Sequence, residues 1–406
     1  MFKVVALLAE PMADSKTQLV SANVLLCLRE FGQDLYMYLD EHELLETSLK
    51  PKQIGDLLAI PFKPLHFESQ NINTVRDRLG FDISSDSIEL ERVADSLNPH
   101  ARLSKVIETW LSTYPKVDAQ SLLSSLPRKR ELLGDLVILP ETAFESKHWK
   151  EIFAQISSTE KLDLWQQVTH ALGGQRLARQ HPIAKNEKRS SQTELLLGQD
   201  GWVEFLDHGI HFGFDATKVM FSSGNVTERR RIGMIDMQGE VVVDAFAGVG
   251  YYSLHMALRS KAEHIHACEI NPDSIHGLTW ACKANAVEQK ITIHQGDNQK
   301  TLPLLYGQAD RCHLGILPSS QPVWEHALRC LKSGGGWLHI HMNVHKNDIE
   351  QWQKSTIEVL QKYAQQIGHG WDISAHHLER VKWFSPHIWH VVLDVECRAD
   401  TTLIKV

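Results

Sequence analysis

The stretch VVVDAFAGVGYYSLHMA, residues 241–257, decides the fold of this chain. Its apolar start predicts a buried β-strand that ends at Asp244, and the apolar spacing after Tyr251 predicts an amphipathic helix. Gly248 and Gly250 lie in the turn between them, where the missing Cβ lets the backbone approach a ligand at the helix N-terminus. A strand, a glycine turn and a helix together predict the ligand-binding turn of an α/β fold.

The same alternation continues to the end of the chain. The strand-like segments EVVVDAFA, HIHACEI, ITIHQGD, RCHLGILP and GGWLHIHMN alternate with helical segments. This pattern predicts a doubly wound, mostly parallel α/β sheet covered on both faces. The final VKWFSPHIWHVVLDVEC, residues 381–397, predicts two strands joined by a proline-containing turn, which would add an antiparallel edge.

We divide the chain into an α/β or α+β domain of unknown role (1–115), a small α+β domain (116–225) and the doubly wound domain (226–406). In the first, VSANVLLCLREF (20–31) and SDSIELERVADSLNP (85–99) are interpreted as helices. In the second, TELLLGQDGWVEFLDHGIHFGFD (193–215) predicts antiparallel strands with a hairpin turn at Gln199-Asp200-Gly201.

Composition limits the classes of function. The net charge of −8 over 406 residues argues against broad, non-specific nucleic-acid binding. The six cysteines are scattered without a CxxC pair and the 23 histidines show no HExxH spacing, so we predict reduced thiols and no metal. The start, residues 1–16, carries Glu10 and Asp14 and is interpreted as a strand, not a signal peptide. With no long apolar run, we predict a cytoplasmic protein without a membrane partner.

Carboxylates follow the next two strands. Glu269 ends the second strand, where it can accept hydrogen bonds from both hydroxyls of a ribose. Asp297 ends the third, where it can accept from an adenine amino group. A carboxylate at the second strand also suits NAD, but Ser253 replaces the third glycine of a dinucleotide fingerprint. The combination favours S-adenosylmethionine over an NAD-dependent reductase.

With these residues the region resembles the class I S-adenosylmethionine-dependent transferases. The resemblance implies that Asp244, Phe246, Gly248 and Gly250 form the methionine-side loop. It assigns Glu269 to the ribose and Asp297 with Asn298 to the adenine. The further cofactor contacts that it implies are Phe221, Ser222, Ile270 and Pro318.

The segment KVMFSSGNVTERRRIG, residues 218–233, narrows the resemblance. Asn225 or Thr227 can cap a helix whose first turn holds Glu228. From about residue 126 onward the chain resembles the enzymes that act on guanosine 37 of tRNA. The pieces MFSSGNVTE, HACEINP, LGILPSS and VKWFSPHIWHVVLDV are similar to their wybutosine-synthesis aminocarboxypropyltransferase branch. The sister branch, the guanine-37 N1-methyltransferases, would show Asn-Leu-Pro where this chain has Leu317-Pro318-Ser319. Two positions depart from the branch: Ile270 stands where relatives often carry Trp, and Met342 where they often carry Gln.

The resemblance implies transfer of the 3-amino-3-carboxypropyl group of S-adenosylmethionine to 4-demethylwyosine in phenylalanine tRNA. Asn225, Glu228 and Arg231 are the predicted catalytic residues, with Arg for the tail carboxylate and Glu for its ammonium. Ser319 and Ser320 are expected to cap the next helix rather than to carry chemistry. The side chains predicted to contact anticodon-arm phosphates are Arg128, Lys129, Arg130, Arg176, Arg179, Lys185, Lys188 and Arg189. The alternatives are a guanine-37 N1-methyltransferase and a catalytically idle binding module.

Overall fold

A computed structural model describes residues 19–64, 72–91, 98–114, 117–181, 191–220 and 223–399. The chain forms two compact units. The first holds residues 1–137, 142–177 and 206–209, and the second holds 138–141, 178–205 and 210–406. Our division at residues 115 and 225 stays a prediction. The predicted strand within residues 1–16 lies outside the described residues.

The first unit begins with an antiparallel four-stranded sheet in the order β2-β3-β1-β4. Its elements are β1 Leu19–Leu28, α1 Gly32–Glu41, β2 Lys52–Ile54, β3 Leu57–Pro61, α2 Ile72–Leu79 and β4 Ser84–Glu91. Leu25 and Ile60 from the sheet pack with Leu35 and Leu39 of α1 and Val75 of α2. This burial of apolar side chains holds the two helices against one face of the sheet.

Two helix predictions in this unit are wrong. Residues 20–31 lie largely in β1, which pairs with β3 on one side and β4 on the other. Residues 85–91 lie in β4, where Ile88 and Leu90 alternate with glutamates at period two. The next helix begins only at Pro99, where the Asn98 side chain accepts from the Ala101 N–H. In both stretches, ladder pairing outweighed the helical spacing that we read from the sequence.

Further elements of the chain are short. They are α3 Pro99–Leu111, α4 Ala119–Ser124, β5 Glu131–Leu133, β6 Leu136–Leu139, α5 Lys147–Phe153, α6 Ser158–Ala171, β7 Arg176–Arg179 and β8 Glu194–Leu197, then β9 Trp202–Asp207 and β10 Ile210–Asp215. Strands β9 and β10 form the hairpin, while β8 belongs to another sheet, so the hairpin predicted at Gln199–Gly201 is wrong. The actual turn is His208-Gly209, where both residues have positive φ, 49° and 75°, as a tight two-residue hairpin turn requires.

The second unit contains a seven-stranded sheet in the order β13-β12-β11-β14-β15-β17-β16. Its strands are β11 Val241–Asp244, β12 His264–Glu269, β13 Ile291–Gln295, β14 Arg311–Leu314, β15 Gly335–His345, β16 Trp371–Ser385 and β17 Ile388–Ala399. Its helices are α7 Val226–Met234, α8 Ser253–Leu258, α9 Pro272–Ala284, α10 Asn298–Thr301, α11 Trp324–Cys330 and α12 Ile349–Gln366. None of the helices in the described part of the chain is long and apolar enough to cross a membrane.

The predicted doubly wound α/β sheet is confirmed. Strands β11 to β15 pair in parallel, and the β16–β17 hairpin closes that edge. Strand β17 is the antiparallel member and lies between β15 and β16, so the outermost strand β16 again runs with the parallel set. Because β12 and β14 flank β11 on opposite sides, the strand order reverses at β11. In open α/β sheets, ligands bind at such a switch point, beyond the carboxyl ends of the strands.

Candidate active site

A cleft of about 650 Å³ opens beyond the carboxyl ends of β11, β12 and β13. Seven residues of the predicted site line it: Asn225, Phe246, Gly248, Glu269, Ile270, Asp297 and Asn298. Phe221 and Ser222 lie outside the described residues. The structure therefore brings together side chains from four separate segments of the sequence at the place where the strand pattern predicted a ligand.

The glycine turn is built around the buried Asp244. Its Oδ2 accepts from the Ser253 hydroxyl at 2.7 Å, and its Oδ1 accepts from the Phe246 N–H at 3.3 Å. Asp244 itself does not line the cleft; it fixes the strand to the turn and to the first residue of α8. At Gly250, φ is +95° and an added Cβ would lie 2.7 Å from Leu278 and 2.9 Å from Leu254. Only glycine fits both the conformation and the space.

Glu269 is held by backbone donors at the end of β12. Its Oε2 accepts from the Gly248 N–H at 2.7 Å, and its Oε1 accepts from the N–H groups of Ile270 at 3.0 Å and Asn271 at 2.7 Å. Burial raises the pKa of Glu269, and the three backbone donors oppose that shift. A carboxylate offers about four lone-pair positions, so this one keeps acceptor capacity toward the cleft.

The end of β13 supplies the opposite wall. Asp297 accepts from the Gln299 N–H at 3.0 Å and so caps the short helix α10. The Asn298 amide donates to the carbonyl of Ala245 at 3.2 Å, which ties this wall to the glycine turn. Both side chains are therefore oriented by hydrogen bonds before any ligand arrives.

Asn225, the residue directly before helix α7, and Arg229 within that helix line the cleft. The Arg229 side chain is only 1% exposed and lines the cleft, although the sequence analysis singled out Arg231 instead. The Asn225 Oδ1 is buried, and among the described residues it has no hydrogen-bond partner. A buried acceptor without a partner costs on the order of 1 to 3 kcal/mol, which a ligand donor would offset.

Glu228 and Arg231 belong to a buried ion-pair network and do not line the cleft. Arg231 donates to Glu228 through Nε and Nη2, both at 2.8 Å, and to Asp394 through Nη1 at 2.6 Å and Nη2 at 3.0 Å. Burial raises the pKa of Glu228, against the opposing effect of Arg231. These contacts give both residues a structural task, and their predicted grip on a ligand tail stays a prediction.

Buried histidines extend from the cleft into the sheet. His341 lines the cleft, with its Nε2 at 3.1 Å from His313 Nε2 and its Nδ1 at 3.0 Å from His390 Nε2. Each of these two contacts needs one protonated and one bare nitrogen. Burial lowers the pKa of His341 well below its ordinary value and that of His390 to about 4, so both rings are neutral near pH 7. Among the described residues, no group of three or more His, Cys, Asp or Glu could hold a metal ion.

Several cleft residues were missed from sequence: Arg229, Tyr251, Tyr252, Ser274, His341, Lys382 and Phe384. Tyr251 and Tyr252 follow the glycine turn directly, so their position was available as a signal. The hydroxyl of Tyr251 donates to the Met220 carbonyl. Lys382 and Phe384 come from the tip of β16, and only the strand order reveals that this tip reaches the cleft.

Some of the predicted basic contacts are already paired. Arg176 donates to Asp135, and Arg179 donates to Glu194 at 2.7 Å. Lys185, Lys188 and Arg189 lie outside the described residues. Arg128 and Lys129 are exposed.

Comparison with known proteins assigns the chain to a family. Residues 204–372 match the family model described as the TRM5/TYW2 methyltransferase domain. The tRNA wybutosine-synthesizing protein 2 homolog of Bos taurus is 31% identical over 423 residues, covering 91% of this chain and 94% of that protein. The chain belongs to the tRNA wybutosine-synthesizing protein 2 family. The recognition made from sequence is thereby confirmed.

Another relative and one solved structure agree with membership of the wybutosine-synthesizing protein 2 family, and a second solved structure shares the fold. The tRNA wybutosine-synthesizing protein 2/3/4 of Oryza sativa subsp. japonica is 41% identical over 317 residues, which are 78% of this chain and 29% of the rice protein. This chain thus spans under a third of the length of that plant relative. The crystal structure of Pyrococcus horikoshii TYW2 in complex with MeSAdo is 26% identical, with a TM-score of 0.58 over 73% of this chain and all of that one. The Pyrococcus abyssi Trm5b structure, 22% identical with a TM-score of 0.56 over 93% of this chain and 99% of that one, shares the fold.

In this family member, the two serines of the segment Leu317 to Ser320 make local hydrogen bonds that hold the turn and the next helix. Leu317 lines the cleft, whereas Pro318 does not, and the Pro318 carbonyl accepts from the Asn343 N–H at 3.0 Å. The Ser319 hydroxyl accepts from the Gln321 N–H at 3.1 Å, as a turn cap would. Ser320 is buried and accepts from the Trp324 indole instead, so only Ser319 resembles the predicted cap.

Proposed function

We propose that this chain transfers the 3-amino-3-carboxypropyl group of S-adenosylmethionine to 4-demethylwyosine at position 37 of phenylalanine tRNA. The observation that carries the proposal is the likeness to the bovine wybutosine-synthesizing protein 2 homolog along 94% of its length. The cleft adds a physical reason, because its donors and acceptors match the parts of that ligand.

The adenosine half fits the strand ends. Glu269 accepts from the ribose hydroxyls at the one lone-pair position that its three backbone donors leave, and Asp297 accepts from the adenine amino group. Phe246 and Ile270 line the same wall and pack on the flat faces of the adenosine. These assignments use side chains that are already fixed by backbone hydrogen bonds.

The amino-acid half fits the start of α7. When bound, S-adenosylmethionine supplies a sulfonium that activates the γ-carbon of its aminocarboxypropyl arm. Arg229 holds the carboxylate of that arm, and the Asn225 Oδ1 accepts from its ammonium. Arg231 and Glu228, which the sequence analysis assigned to these two tasks, brace helix α7 through their ion pair and the bonds to Asp394. Their own contact with the arm stays a prediction. Holding the arm so that its γ-carbon faces the acceptor, about 3 to 3.5 Å away, is the main catalytic contribution.

The acceptor base needs few hydrogen bonds from the protein at its reacting atom. The nucleophile is a ring carbon of an electron-rich tricycle. Its bond to the γ-carbon would form as the bond from that carbon to the sulfonium sulfur breaks, with methylthioadenosine as the leaving group, and the ring proton would then pass to solvent. An amide clamp is then unnecessary, which agrees with Leu317 lining the cleft where the methyltransferase branch would show Asn.

The tRNA is held by its phosphates at exposed cations such as Arg128 and Lys129. We expect tRNA binding to weaken steeply with salt, and a flat salt response would contradict phosphate contacts. A cytoplasmic location is part of the proposal, since all six cysteines are buried and free of disulfides.

Two radiolabels test the proposed function. The protein is incubated with tRNA from cells that lack it and with S-adenosylmethionine labelled either in the carboxyl carbon or in the methyl group. Label from the carboxyl carbon alone should enter the tRNA, with the mass of nucleoside 37 raised by the aminocarboxypropyl group. Methyl label in the tRNA would identify a guanine-37 methyltransferase instead. Absence of both labels and of S-adenosylmethionine binding by calorimetry would leave a binding module.

A further inference from the structure

The tip of the β16–β17 hairpin carries two exposed aromatic side chains at the mouth of the cleft. Trp383 is 51% exposed and Phe384 is 57% exposed, whereas most large apolar side chains of this unit are buried. Phe384 and Lys382 line the cleft. Adjacent aromatic rings left in water beside a ligand site mark a binding surface.

The side chains of the tip are divided between the cleft and its outside. Lys382 and Phe384 line the cleft and Trp383 does not, at a point where register shifts between Arg380 and Lys382 and between Trp383 and Ser385 interrupt the regular alternation of the strand. Trp383 stacks on Trp389 of the paired strand, with ring centroids 4.1 Å apart and the planes 29° from parallel. The stacking covers one indole face, while Trp383 as a whole stays 51% exposed. Little side-chain entropy remains to be lost when a flat partner docks there.

The chemistry of the tip matches an unpaired nucleobase. Phe384 offers a π-face inside the cleft, Trp383 offers a second one outside it, and Lys382 adds a cation on the cleft side, next to Gly224. Aromatic rings interleaved with cations are how proteins hold single-stranded nucleic acid. Sequence-specific RNA recognition also targets loops whose unstacked bases pack on aromatic side chains.

We propose that this hairpin tip is a stacking platform for the anticodon loop of the tRNA. Phe384 stacks on the base that enters the cleft, Trp383 stacks on the base next to it in the loop, and Lys382 contacts the phosphate between them. This proposal rests on the proposed function in one respect, namely that tRNA is the partner. It adds how the acceptor base is drawn out of its own stack, since Phe384 replaces stacking that this base loses and Trp383 replaces stacking that its neighbour loses.

Binding of tRNA by variants of the full chain tests the platform. Phe384→Ala and Trp383→Ala should each weaken tRNA binding by about 5- to 150-fold, the range for loss of one base–aromatic stack. Phe384→Tyr should retain the affinity because it keeps the ring. Leu304→Ala is the matched control, since Leu304 is 69% exposed and does not line the cleft.

The salt dependence separates stacking from charge. The aromatic variants should leave the slope of log K against log salt unchanged, whereas Lys382→Gln should reduce it by about 0.7 to 0.9. A tRNA with an abasic sugar at position 37 completes a double-mutant cycle with Phe384→Ala. The two losses should fail to add, because both remove the same contact.

Equal tRNA affinity of wild type and both aromatic variants would overturn the platform, as would strictly additive losses in the cycle. A Trp383→Ala effect on self-association or on lipid-vesicle binding without an effect on tRNA would also overturn it. If wild type binds tRNA but transfers neither label, the proposed function fails while the binding comparison still decides the platform.

Discussion

Replacing Arg231 by methionine should destabilise the second unit more than any exposed arginine substitution in it. Arg231 makes four N–H···O contacts, between 2.6 and 3.0 Å, to the carboxylates of Glu228 and Asp394. Glu228 is 0% exposed and Asp394 is 5% exposed, so the substitution leaves two buried carboxylates without their cation. Breaking a buried pair in this way costs about 3 to 5 kcal/mol of unfolding free energy. Urea denaturation followed by circular dichroism measures it.

The pH dependence of that loss has a defined sign. In Arg231→Met the folded-state pKa of Glu228 rises further, because the cation that lowered it is gone. As pH falls, Glu228 is therefore protonated in the folded state at a higher pH than in the unfolded state. The variant therefore loses stability as pH rises, and its deficit against wild type should grow as pH increases above the ordinary pKa range of a glutamate. Adding Glu228→Gln should restore part of it. Arg329→Met is the matched control: its exposed pair with Glu325 should contribute about 0.5 kcal/mol or less. A deficit no larger than that control, or one independent of pH, would refute the reasoning.

Three further substitutions test the glycine turn after β11, the carboxylate proposed to bind the ribose, and the buried histidines. Ser253→Ala removes the buried hydrogen bond to Asp244 and should cost about 1 to 3 kcal/mol in urea denaturation; an unchanged midpoint would show that the bond is not needed. Glu269→Gln should raise the calorimetric Kd for S-adenosylmethionine about 10- to 150-fold, because a neutral amide replaces a charged acceptor; an unchanged Kd would exclude Glu269 as the ribose ligand. Burial lowers the pKa of His390 to about 4, so below pH 6.5 the unfolded state binds a proton that the folded state refuses. By pH 4 the wild type should lose on the order of 3 kcal/mol of unfolding free energy through this histidine. In urea denaturation at decreasing pH, His390→Gln should lose stability less steeply than wild type.

The sequence predicted the second unit well because its signals are local. Residues 241–257 predict their strand, turn and helix without reference to the rest of the chain. Glu269 and Asp297 lie where β-strands end, which is also a local signal. The first unit was harder to predict, because β1 is a strand through its pairing with β3 and β4, and β4 is a strand through its pairing with β1. A ladder between segments so far apart leaves little trace in either segment alone.

Arg229 and Arg231 show why the sequence alone did not identify the arginine that lines the cleft. The two residues differ by about 200° around a helix, so a cation at one position faces the cleft and at the other faces the sheet. Choosing between them needs the point where α7 begins, Val226, which follows a short 3₁₀ turn that the sequence did not predict. The reach of the β16 tip to the cleft depends on strand order and was not visible either.

The partnership of Arg231 with Asp394 joins residues 163 positions apart. Ribosomes add roughly 5 to 20 residues per second, so α7 waits on the order of 8 to 33 s for the strand that neutralises it. During that time the glycine turn can form, but the helix that supports the cleft carries a cation and an acid paired only with each other. The contact of α7 with β17 therefore forms late in synthesis. Nascent chains that stop before β17 should fold most of the sheet and still be unable to retain the nucleotide ligand.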